Sequence, residues 1–162
     1  MMWDSVDLKA YHDCVADLLG TKEVNEMRDL DHHAHISCYE HSVFVSYLSF
    51  RICRRLHIDY RAAARGGLLH DLFLYDWHTD PHEGMHGFSH PKAALKNAKE
   101  LCPLTPKEED IILKHMWPLT LRQVPKYRES FVVSGADKLC ALMEMFSFYR
   151  ILKIKRHLAL AV

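Results

Sequence analysis

The feature that most restricts this chain is the spacing of its apolar residues, which recurs at helical intervals and nowhere alternates over the length of a strand. Segments of this kind bury one stripe each and are stable only when packed on one another, so the fold class is all-α, a compact bundle of six or seven helices. Val6, Tyr11, Val15, Leu18 and Leu19 mark a first helix that Gly20 ends. A second is predicted from about His33 to Leu56, with Ile36, Tyr39, Val43, Phe44, Tyr47, Leu48 and Ile52 inward. Asp59 is positioned to cap a third, whose Ala62, Ala63, Ala64, Gly66 and Gly67 allow a neighbouring helix to approach closely. Tyr75 to Gly87, rich in Gly, Pro, Asp and His, reads as the longest loop. Ser89 or His90 then caps a helix with Pro91 in its first turn, and Thr105, Pro106 and Glu108 open another that Pro118 stops. One or two apolar helices fill the stretch from about Glu129 to Leu158, and the last segment, FSFYRILKIKRHLALAV, suits either the core or a partner subunit.

Length and charge narrow the function. The 162 residues suffice for one domain, taken as residues 1–162. Lys plus Arg, 21, balances Asp plus Glu, 21, so no global field draws the chain to a nucleic-acid polymer or an anionic membrane. No apolar run is long enough to span a bilayer, and MMWDSVDLKA lacks the order of a secretion signal, which together predict a cytoplasmic protein. Five scattered cysteines form no CxxC pair and read as reduced, mostly buried thiols. Histidine is the outlier, at 13 residues, and an excess of imidazole directs attention to metal ligands.

One dipeptide sets two strong ligands side by side in an apolar context, His70-Asp71 in GLLHDLFLYD. Burying an imidazole and a carboxylate without partners is costly, and a divalent cation offsets that cost by accepting both. Further His and Asp residues stand at the middles or ends of predicted helices: His41, His90, His115 and Asp137. The order His41, His70-Asp71, His90, His115, Asp137 resembles the H…HD…H…H…D signature of the HD-domain superfamily of metal-dependent phosphohydrolases, over roughly residues 33 to 148. The resemblance implies that His41, His70, Asp71 and Asp137 ligate a first metal. It implies that His90 and His115 add a second, with Asp71 bridging. One or two divalent transition metals follow, iron or manganese foremost, with nickel, cobalt or zinc also compatible with these ligands.

Two cations a few ångströms apart would lower the pKa of a shared water and clamp a phosphoryl group, so the implied activity is hydrolysis of a small phosphorylated molecule, a nucleotide foremost. Asp71 and Asp76 are the catalytic carboxylates in this reading. For the general acid the loop offers Asp76, His78, Asp80, His82, Glu83 and His86. Phosphate-contacting cations could come from Lys138, Arg51, Lys92 or Lys114, although each is an ordinary surface charge by default. Where cyclic-dinucleotide phosphodiesterases of this pattern carry a Lys soon after the HD pair, this chain has Leu72, Phe73 and Leu74, which argues against that substrate class. The alternatives to hydrolysis are a di-iron oxygenase with the same ligand pattern and a non-catalytic regulatory module. Asp31-His32-His33-Ala34-His35 reads as structural, at a helix start, and Trp77 and Trp117 as packing residues.

Overall fold

The computed structural model describes residues 5–33, 36–75 and 86–145. Seven α-helices are found among them: α1 (Ser5–Leu19), α2 (Lys22–Glu26), α3 (Cys38–Arg55), α4 (Tyr60–Leu69), α5 (His86–Leu101), α6 (Pro106–Lys114) and α7 (Arg128–Met145). The all-α architecture is therefore as the periodicity requires. No helix among the described residues is long and apolar enough to cross a membrane.

The cap signals act as their chemistry dictates. The Asp59 carboxylate accepts from the Ala62 amide at 3.0 Å and starts α4. At α6, Thr105 and Glu108 form a reciprocal capping box with Pro106 just inside. A second capping box, Ser37 with Glu40, opens α3. It sits later than the predicted start near His33, because Asp31–His33 (β1) and Ile36–Ser37 (β2) pair as a short antiparallel ladder instead. Two strands this short carry no readable alternation. Asp31–His33 is thus a strand and not a helix start, and Ala34 and His35 lie outside the described residues. Helix α5 departs in the opposite direction: it begins at His86, so His90 and Pro91 lie inside it rather than at its cap. Pro91 has no amide hydrogen, and α5 forgoes one i→i−4 bond there.

Helix α3 is buried on almost every side, against α4 and α7 in particular. Its serines make this possible by keeping the backbone accessible: Ser46 Oγ donates to the Ala64 carbonyl at 2.6 Å and accepts from the Tyr11 hydroxyl at 3.0 Å. Gly67 completes the approach, since a Cβ there would stand 3.0 Å from the Ser46 Cα. Buried Arg65 fastens α4 to its other neighbours, its Nε donating to Glu108 at 3.0 Å and its Nη1 to Asp17 at 2.7 Å. The five cysteines are free thiols, four of them buried and Cys102 half-buried. Close packing of α3, α4 and α7 fixes where the helix ends converge, and the polar residues of interest lie at that convergence.

Candidate metal centre

The six sequence-predicted side chains come from five helices or their ends: His41 from α3, His70 at the C-cap of α4 with Asp71 beside it, His90 from α5, His115 at the C-cap of α6, and Asp137 from α7. All are buried. They meet in three overlapping groups whose donor atoms lie within 4.8 Å of one another: His41, His70 and Asp71; His70, His115 and Asp137; Asp71, His90 and His115.

Ring orientation is set from behind. His70 Nδ1 faces the Gly67 carbonyl at 2.7 Å, His115 Nδ1 the Ile112 carbonyl at 2.8 Å, and His41 Nδ1 a Glu144 carboxylate oxygen at 2.9 Å. A carbonyl or carboxylate accepts only, so each Nδ1 carries the hydrogen and each Nε2 turns a lone pair toward the centre. There the lone pairs meet more acceptors. His41 Nε2 is 3.2 Å from Asp137 Oδ1, His70 Nε2 is 3.4 Å from Asp71 Oδ2 and 3.8 Å from Asp137 Oδ1, and His115 Nε2 is 3.5 Å from Asp71 Oδ1. His90 Nε2 stands 3.3 Å from that same Asp71 oxygen and 2.8 Å from His115 Nε2. Fully buried His70 Nε2 makes no hydrogen bond among the described residues.

Acceptors crowded against acceptors require positive charge between them. Donor atoms bound at about 2.1 Å to one first-row ion stand roughly 3.0 Å apart at right angles and roughly 3.4 Å apart in a tetrahedron, and the separations above bracket these values. The residues therefore fit a metal. Asp71 divides its oxygens, Oδ2 facing His70 while Oδ1 faces His90 and His115.

The ionisation of the metal-free chain tells the same story. Burial alone would lower the His70 pKa, but Asp71 and then Asp137 lift it above the ordinary imidazole value, a proton serving where a cation would. Burial first, and the adjacent His70 second, push His115 down to about 3 against the pull of Asp71, so its lone pair stays available at neutral pH. Burial also opposes ionisation of Asp137. The close His41 and His70 rings outweigh it and hold the carboxyl well below the usual range.

Among the four expected cations, Lys138 reaches the centre, donating to Asp137 Oδ2 at 3.1 Å and to the His115 carbonyl. Arg51 is occupied by Asp7 at 3.1 Å, Lys114 by Asp110 at 2.6 Å, and Lys92 is exposed on α5. Trp117 packs edge-on against Phe131, as its default role predicts. Asp76, Trp77, His78, Asp80, His82, Glu83 and the His86 side chain lie outside the described residues.

The sequence reading missed Glu144, which is fully buried behind His41. A signal was present: Glu144 stands two turns after Asp137, on the same face of α7 and among Leu142, Met143 and Met145.

A search of curated proteins and a search of solved structures each returned no match. A scan against family models matched the HD domain over residues 38–142. That segment spans most of the chain and contains His41, His70, Asp71, His90, His115 and Asp137. The chain belongs to the HD domain family, whose members are in general metal-dependent hydrolases.

Proposed function

We propose that this chain is a phosphohydrolase or phosphodiesterase that uses two divalent transition metals, iron or manganese foremost, to hydrolyse a small phosphorylated molecule such as a nucleotide. The observation that carries the reading is the orientation of the rings: His41, His70 and His115 are each pinned at Nδ1 and present Nε2 to two buried carboxylates. When bound, the ions supply an activated water and a clamp for the phosphoryl oxygens. The chain's own groups prepare that chemistry. Asp71 links the two halves through its separate oxygens, and the buried walls keep the electrostatics strong. Lys138, partly exposed beside Asp137, sets a cation at the edge of the centre where a phosphoryl dianion would arrive. Asp76 remains our proposal for the proton donor to the leaving group.

The test is a screen of phosphomonoesters and phosphodiesters, nucleotides included, with the chain loaded in turn with manganese, iron, cobalt, nickel and zinc. Turnover that disappears in Asp71→Asn supports the reading. Absence of turnover with every metal refutes it, and substrate-dependent oxygen uptake by the iron-loaded chain would replace it with oxygenase chemistry.

A further inference from the structure

The ligand rings of the centre are not all backed alike. His70 and His115 rest their Nδ1 hydrogens on neutral backbone carbonyls, whereas His41 rests its own on the Glu144 carboxylate at 2.9 Å. Glu144 is 1% exposed, and an ionised carboxylate is held at such depth only by strong partners. A carboxylate behind a ligating imidazole fixes the ring and makes the opposite nitrogen a better donor than a carbonyl does. On that same side Asp137 Oδ1 lies 3.2 Å from His41 Nε2, and Asp71 contributes Oδ2. The other side has His90 and His115 with the remaining oxygen of Asp71.

We propose that Glu144 is a positioning residue that makes the metal centre asymmetric, so that an ion on the His41 side is held tightly and an ion on the His90 and His115 side loosely. The inference rests on the metal-dependent reading above and deepens it. Glu144 touches neither ion nor substrate; it acts through the orientation and basicity of the His41 ring. The loosely held ion then exchanges with the medium while the tightly held one stays, and the supply of metal sets how much of the chain carries both.

Competition titration of the full chain with cobalt against a chromophoric chelator tests this without reference to turnover. Wild type is expected to show two classes of site, the weaker of which vanishes in His90→Ala. Glu144→Gln, which keeps a hydrogen-bond acceptor and loses the charge, is expected to weaken the tighter class about 10-fold, and Glu144→Leu nearer 100-fold. Both should leave the weaker class within about threefold of wild type. Two classes of equal affinity in wild type would overturn the inference without any variant. So would a Glu144→Gln protein with wild-type affinities, or one in which both classes weaken alike. These results leave the metal-dependent reading standing, whereas failure of wild type to bind cobalt at all removes both.

Discussion

Replacing Gly67 by alanine places a methyl group where the backbone of α3 already sits. The new Cβ would lie 3.0 Å from the Ser46 Cα and 3.3 Å from the Ser46 nitrogen, and main-chain atoms cannot rotate out of the way. Overpacking costs about 1 to 3 kcal/mol, and a rigid neighbour puts this site near the upper end. Alanine's better helix propensity returns roughly 1 kcal/mol, which leaves a net loss of about 2 kcal/mol. For a chain of this size that is a fall of about 4 to 8 °C in Tm. Gly135→Ala is the control, because it lies exposed on α7 with nothing within 4 Å of its added Cβ. The same propensity gain is unopposed there and should stabilise by about 0.5 to 1 kcal/mol. The assay is thermal and urea unfolding of both variants without metal. A Gly67→Ala protein as stable as wild type, or a Gly135→Ala protein that loses as much, refutes the reasoning. Because the Gly67 carbonyl also holds the His70 ring at 2.7 Å, the displaced α4 should bind metal more weakly as well as unfold more easily.

Arg65→Met should cost about 3 to 5 kcal/mol, since Glu108, 3% exposed, would lose the guanidinium 3.0 Å away and remain buried with its charge; urea denaturation checks this, and a loss under about 1 kcal/mol would mean the pair is not holding α4 to α6. The metal-free chain should be most stable near the ordinary imidazole pKa of about 6.5. His70 has a raised folded pKa, so its contribution is complete below the unfolded value and is lost as pH climbs through the folded one. His115 and Asp137 have depressed folded values, so their unfolded forms take up protons first, and stability falls as pH drops from about 6.5, through His115 and then Asp137. A urea midpoint that rises steadily from pH 4 to pH 9 would contradict these signs.

How much was legible in the sequence follows from where each determinant lies. Caps are local: Asp59 and Thr105 each accept from an amide three residues on, and Glu108 accepts from the Thr105 amide three residues back, so a short window contains the whole interaction. His70-Asp71 stood out because it sits in an apolar run, the resemblance to the HD pattern added His41, His90, His115 and Asp137, and the fold brings the six together. Glu144 was readable only as an acidic residue two turns after Asp137; its role was not, because its partner His41 is on another helix and only packing brings α3 against α7. The short hairpin before α3 was hidden for a similar reason, its strands being too brief for a period to show. At α5 the signal of Pro91 was real but ambiguous, since proline favours a first turn and is also tolerated, at the loss of one bond, further in.

His41, His70, Asp71, His90, His115 and Asp137 come together as a group able to hold metal, and we propose that it takes two ions. Elemental analysis of protein purified without a metal-affinity tag tests it most directly, with His90→Ala and His70→Ala beside wild type. After reconstitution, close to two transition-metal ions per chain, about one in His90→Ala and almost none in His70→Ala, is the predicted result. Wild type that holds no metal even after reconstitution, or variants that hold as much as wild type, would contradict it.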